Sequence, residues 1–147
     1  MEKLRVGFIG TGNVTDMHYL GYKDNPAIEL YSICDTDPEL LKRRSDEWGV
    51  TRAYLDYRDL LADPELDAVE IITPHHLHAE IGIAAFKAGK HVSMQKPMAL
   101  TVEECDALIA AAKASGKVLR NFENFRHYPP IVKARELWES GAVGDPV

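Results

Sequence analysis

Apolar residues along the chain fall in short compact runs, and stretches with helical spacing separate one run from the next. Leu4 to Ile9 is the first run, broken only by Arg5 and Gly7 and ended by Gly10 and Gly12, which predicts a buried strand entering a tight turn. A helix is predicted from Asn13 to Lys23, with Asn13 as its N-cap and Asn25-Pro26 closing it. Ile28 to Cys34 reads as a second strand ending at Asp35. Asp37-Pro38 then has the form of a cap followed by proline at the first helical position, opening a helix towards Trp48 that Gly49 stops.

Tyr54 to Asp63 has a weaker pattern and predicts a strand end and one short helix. Asp67 to Thr73 predicts a strand, Leu77 to Ala88 a helix stopped by Gly89, and His91 to Met94 another strand. Thr101 is followed three positions later by Glu104, the reciprocal capping arrangement that satisfies two orphaned amides, so a helix runs from there to Gly116. Lys117 to Asn121 is the last strand, and Pro129 to Ser140 a last helix with Gly141 just beyond. Apolar strands alternating with helices of this length belong to a parallel sheet covered on both faces by right-handed crossovers. The predicted class is α/β, a doubly wound parallel sheet, with no interior linker and no repeat beyond the β-α alternation.

Composition narrows the partners. At 147 residues the chain is the size of one domain and can bury roughly 70% of its unfolded surface. Seventeen basic against twenty-three acidic side chains leave a net charge of -6, which disfavours nucleic acid and anionic lipid. The densest cationic run, Lys42 to Arg44, is diluted by Glu39, Asp46 and Glu47 and reads as a solvated helix face. Cys34 and Cys105 lie far apart in apolar patterns, which suits buried thiols in a reducing compartment. No leader peptide is evident in MEKLRVGFIG, and no window approaches a membrane span. A cytoplasmic protein is expected.

The turn GTGNVT, Gly10 to Thr15, carries the first candidate chemistry. Two glycines between a strand and a helix let backbone amides, including those of Asn13 and Val14, approach a pyrophosphate at the positive end of the helix dipole. The third small residue of that fingerprint is replaced by Thr15, predicting a helix set slightly farther from the sheet. Asp35, twenty-three positions after Gly12, has the spacing of the acid that hydrogen-bonds the adenosine ribose. A carboxylate there repels a 2'-phosphate, so NAD is expected over NADP. NADP use would require Asp35 to turn away and Arg43 or Arg44 to swing in. Thr15 aside, an acid that only starts the turn before Pro38 remains an alternative for Asp35.

In TPHHLHAE, Thr73 and Pro74 lie at the carboxyl edge of the sheet, where ligands of open α/β sheets bind, and His75 and His78 are candidates beside them. His75 and His78 share a helix face, but neither cysteine nor carboxylate stands at ligand spacing, and no metal is expected. Gln95-Lys96-Pro97 ends a later strand. Proline restricts Lys96 to extended geometry and aims its ammonium group at the crevice. Only about 5% of such bonds are cis, so a trans bond is the default expectation.

Taken in order, GFIGTGNVTDMH, the acid in CDTD, DAVEIITPHHLH, AGKHVSMQKPMALT and the ending GAVGDPV resemble the glucose-fructose oxidoreductase/inositol dehydrogenase/rhizopine catabolism (Gfo/Idh/MocA) family over essentially the whole chain. The resemblance implies a Rossmann-type dinucleotide-binding domain over residues 1–121. It implies that residues 122–147 form a crossover helix leading to a C-terminal substrate domain outside this chain, which would make the chain a fragment. It implies an NAD(P)-dependent oxidoreductase acting on a sugar, cyclitol or related polyol, homo-oligomeric at full length. Lys96 matches the family's catalytic lysine, Gln95 replaces the usual Glu before it, and Arg126 matches an arginine that touches cofactor or substrate. His18 also matches, and reads as packing.

Two rivals stand beside this reading. One is a non-catalytic dinucleotide-binding or redox-sensing module, which Gln95 permits. The other is an S-adenosylmethionine methyltransferase, since an acid after the second strand can also hold a ribose.

Overall fold

The computed structural model describes residues 3–144. Six strands form one parallel sheet: β1 (Leu4–Ile9), β2 (Ile28–Cys34), β3 (Arg52–Tyr54), β4 (Ala68–Ile71), β5 (His91–Met94) and β6 (Leu119–Asn121). Their order is β3-β2-β1-β4-β5-β6, the doubly wound arrangement whose direction reverses between β1 and β4. The helices are α1 (Thr15–Lys23), α2 (Pro38–Trp48), α3 (Tyr57–Leu61), α4 (His78–Lys87), α5 (Val102–Ser115) and α6 (Pro129–Glu139). Short 3-10 turns at His75–Leu77 and Asn124–His127 precede α4 and α6.

Strand periodicity divides the core. Phe8 and Ile9 are adjacent and fully buried, so they point to opposite faces. Phe8 joins Ile33, Leu41 and Val50 beneath the aromatic rings of α1 and α2, with Tyr22 edge-on at 4.9 Å and Trp48 at 6.1 Å. Ile9 belongs to the larger cluster of Val69, Ile71, Ile81, Met94 and Leu108 under α4 and α5. These helices approach closely because Gly82 has no side chain: a β-carbon there would stand 2.5 Å from Leu108 Cδ2.

The predicted caps explain most boundaries. Asp37 accepts from the amides of Glu39 and Leu40, and Gly49 closes α2 in the left-handed conformation. Thr101 and Glu104 form the full capping box, and Gly116 ends α5. The predicted N-cap at Asn13 is corrected. Helix α1 begins at Thr15, Val14 already has helical dihedrals, and no side chain caps the end. The cause is a tight turn in which the Thr15 amide donates to Gly12 O at 3.0 Å. Thr15, in the place of the third small residue, is accommodated within the turn. It is fully buried, and its hydroxyl donates to Gly10 O at 3.2 Å, closing the turn. The Lys96-Pro97 bond is cis, against the default. Helix α6 contributes no buried residue and exposes Ile131, Val132, Leu137 and Trp138. The last three residues of the ending GAVGDPV lie outside the described residues.

Candidate functional site

Beyond the carboxyl ends of β1, β2 and β4 lies a crevice of about 640 Å³. One wall is the turn after β1. Gly10 adopts a φ of +94°, and a β-carbon on it would stand 2.6 Å from Ile72 O, so the turn fits only a glycine. Gly12 differs, because nothing lies within 4 Å of a β-carbon built there and its side faces open space. The fold leaves that position free for a ligand.

Between the glycines Thr11 is fully buried and held from two sides. Its amide and hydroxyl donate to Asp35 Oδ2 at 2.7 and 2.9 Å. Its carbonyl accepts from Arg44 Nε at 3.2 Å. The Asp37 amide donates to the other Asp35 oxygen at 3.1 Å. Asp35 is therefore both the acid at the end of β2 and a brace for the glycine turn. An ionised carboxylate offers about four acceptor positions, so three protein donors leave room for a ribose hydroxyl.

Arg44 cannot swing towards a 2'-phosphate. Only 6% exposed, its guanidinium also pairs with Asp16 at 2.7 Å and Glu47 at 2.8 Å. Arg43 remains exposed beside Glu47 at 3.8 Å, and Lys42 pairs with Asp46 at 2.7 Å. A shallower hollow on this outer face of α2 is thus lined by mutually compensated charges.

Asp35 and Thr36 also line the crevice, as do Leu55 and Asp56 with Tyr57 and Arg58 at the start of α3. Cys34 also borders the crevice, and burial, followed by the charge of Asp35, pushes its thiol up to about 12, so it stays protonated. The remaining wall contains Thr73, Pro74 and His76. The Thr73 hydroxyl is buried without a hydrogen-bond partner. A buried polar atom of that kind calls for a partner. With the open side of Gly12 and the uncapped start of α1, it fits a polar dinucleotide in the crevice.

The predicted residues separate into groups. Gly10, Gly12, Asp35, Thr73 and Pro74 line the crevice. Asn13 and Val14 are exposed at the start of α1, and His75 is exposed in the 3-10 turn. His78 is corrected as a ligand-facing residue. It is fully buried, and its ring nitrogens face the carbonyls of Pro97 at 2.8 Å and Thr73 at 3.0 Å, so it ties the β4 and β5 ends together. Arg126 is exposed in the 3-10 turn before α6 and does not line the crevice.

Gln95 and Lys96 lie just past β5, where the Gln95 amide donates to Ile71 O at 3.0 Å. Lys96 is exposed, and its amide donates to Gln95 Oε1 at 2.7 Å. The sequence reading missed His76, Leu40 and the segment from Leu55 to Arg58 that opens α3, and also a set joining Glu70, His18, Tyr22 and Gln95. The available signal for that set was a lone acid, Glu70, inside an otherwise apolar strand.

Residues 4–122 match an oxidoreductase family with an NAD-binding Rossmann fold. The chain is 37% identical to levoglucosan dehydrogenase of Pseudarthrobacter phenanthrenivorans, over 98% of this chain and 39% of that protein. It is 33% identical to myo-inositol 2-dehydrogenase of Thermotoga maritima, over 97% of this chain and 43% of that protein. Among solved structures it resembles a mutant 3-ketoreductase from Actinomadura kijaniata in complex with TDP-benzene and NADP, with a TM-score of 0.89 and 27% identity, covering 98% of this chain and 46% of that one. The chain thus spans less than half the length of these relatives. Among the described residues, no helix is long and apolar enough to cross a membrane.

Proposed function

The chain belongs to the Gfo/Idh/MocA oxidoreductase family, and from that premise we propose that it is the NAD-binding part of a dehydrogenase acting on a sugar, cyclitol or related polyol. The observation that carries the choice of NAD is the bond between Thr11 and Asp35. The acid is fastened to the glycine turn at 2.7 Å, and its charge stands where a 2'-phosphate would have to go. Arg44, the buried arginine that could offset that charge, is already paired.

In this reading Gly12 admits the pyrophosphate, Asp35 accepts from the ribose, and the Thr73 hydroxyl finds its partner in the cofactor. Asn13, Val14, His75 and Gln95 border the bound ligand. When bound, the nicotinamide supplies the hydride acceptor. Lys96 Nζ donates a hydrogen bond to the substrate hydroxyl and polarises it, and an acid-base partner supplied from outside this chain takes the proton. The exposed apolar side of α6, the crossover helix within residues 122–147, docks onto the substrate-binding part, which carries the homo-oligomer contacts. Cytoplasmic residence agrees with the two free cysteines, Cys34 and Cys105.

Calorimetric titration of the 147-residue chain with NADH, NADPH and S-adenosylmethionine tests the proposal. NADH should bind at least about tenfold more tightly than NADPH, about 1.4 kcal/mol. Equal affinity, or preference for S-adenosylmethionine, would overturn it. With a polyol panel the chain alone should show little or no turnover. Gln95 in place of Glu favours one alternative, a non-catalytic sensor, which inactivity of the longer protein with every polyol would support.

A further inference from the structure

Glu70 is the only carboxylate among the described residues that is fully buried. It lies in β4 beside Phe8 of β1, on the face covered by α1. Burying a carboxylate costs several kcal/mol unless hydrogen bonds compensate, and two groups of α1 supply them. His18 Nδ1 faces Oε1, and the Tyr22 hydroxyl donates to Oε2. Burial first and then the Glu70 charge raise Tyr22, keeping its hydroxyl a donor, while Arg120 of β6 opposes this weakly.

The set continues to the turn after β5. His18 Nε2 lies 2.8 Å from Gln95 Nε2, and Gln95 Oε1 accepts the Lys96 amide at 2.7 Å. The His18 ring is walled in by Phe122 at 4.8 Å, and its side chain is 6% exposed.

Each proton in this set is assigned by its neighbour. The Lys96 backbone N–H can only donate, so the atom of Gln95 facing it is the oxygen. The other end of Gln95 is then NH2, which also can only donate. His18 Nε2 must accept, which leaves the ring's proton on Nδ1, directed at Glu70. Glu70 then accepts from two donors, as an ionised carboxylate does.

We propose that Gln95 fixes His18 as the neutral Nδ1–H tautomer, and that Glu70, His18 and Gln95 form a buried positioning relay that holds the Lys96 turn. The relay extends the proposed function at the Lys96 turn, which lies outside the residues lining the crevice, and rests on that function only for what Lys96 does. Gln95 is in this view matched to the proton count of His18. A glutamate at position 95, accepting from the Lys96 amide, has no proton for Nε2, so His18 would have to carry two and donate to a carboxylate on each side.

The test is a two-bond 1H–15N correlation of the histidine rings in the 15N-labelled chain without cofactor at neutral pH, with His18 assigned by its loss in His18→Gln. The expected pattern is one protonated nitrogen, Nδ1, and one unprotonated, Nε2. In Gln95→Glu both nitrogens should become protonated. A wild-type ring protonated on Nε2 or on both nitrogens overturns the proposal, as does a folded Gln95→Glu protein with an unchanged His18.

Gln95→Met, which removes donor and acceptor together, covers the case in which Gln95→Glu does not fold. Exchange of the Lys96 amide should then accelerate about tenfold, as loss of one hydrogen bond predicts, and unchanged exchange counts against the relay. Since none of these readouts involves cofactor, failure of NADH to bind would sink the proposed function while leaving the tautomer assignment standing.

Discussion

The two glycines of the first turn offer a matched pair of perturbations, because the fold requires one and leaves open space at the other. In Gly12→Ala the new methyl has nothing within 4 Å, and the position has no left-handed backbone to strain. Removing glycine also restricts the unfolded chain, so stability should be unchanged or higher by ~0.4 to 1 kcal/mol. In Gly10→Ala the methyl would stand 2.6 Å from Ile72 O on a backbone with φ of +94°. Left-handed strain of ~1 to 2 kcal/mol adds to an overpacking cost of ~1 to 3 kcal/mol, so a loss of about 3 kcal/mol is expected.

A chain of 147 residues at ~2.1 cal/mol/K each has an unfolding entropy of ~0.3 kcal/mol/K, which converts that loss to a Tm drop of about 10 °C. Thermal unfolding followed by circular dichroism reads the first quantity, and calorimetry with NADH the second. Gly12→Ala should keep its Tm and lose at least about tenfold in NADH affinity, ~1.4 kcal/mol. If Gly12→Ala binds NADH as the wild type does, the pyrophosphate does not approach that glycine, and the assignment of the crevice fails.

Other perturbations probe the same architecture. Asp35→Ala removes the acceptor of three protein donors. It should weaken NADH binding and destabilise the chain by ~2 to 3 kcal/mol in urea unfolding, without creating NADPH preference, because Arg44 stays paired. Phe8→Ala empties the centre of the α1/α2 side of the core and should cost ~3 to 5 kcal/mol by the same measurement. The Cys34 thiol, raised from 9.0 to about 12, binds its proton more tightly in the folded state. Its stabilising contribution is complete below pH 9.0 and is lost as pH rises towards 12. At pH 8 a thiol reagent should therefore label the half-buried Cys105 and spare Cys34 until the chain unfolds.

The fold was legible because its instructions are local. The strand pattern of Leu4 to Ile9, Pro38 after Asp37, and the Thr101–Glu104 box each act over a few residues, and each appears at the predicted place. Gly10, Gly12 and Asp35 were legible for the same reason, since strand ends and turn lengths fix them. The Asn13 cap failed because the Thr15 amide, two residues on, bonds back to Gly12 O and Val14 is already helical with no side-chain cap. His78 shared a motif with His75 and His76, yet one turn of helix separates exposed rings from a buried one, and no local pattern gives that rotation. His18 and Glu70 are 52 positions apart and meet only because β4 pairs beside β1 under α1. A lone acid in an apolar strand signals that such a partner exists without saying which one.

The two-sided clasp on Thr11 bears on how tightly anything can be gripped. A flexible loop must forfeit backbone freedom of ~1 to 2 kcal/mol for every residue it freezes around a guest. Here that entropy was surrendered at folding, when Arg44 and Asp35 seized the carbonyl, amide and hydroxyl of a single threonine. The backbone at Thr11 is accordingly ordered before any ligand arrives, and fixing that residue adds no entropic cost to binding.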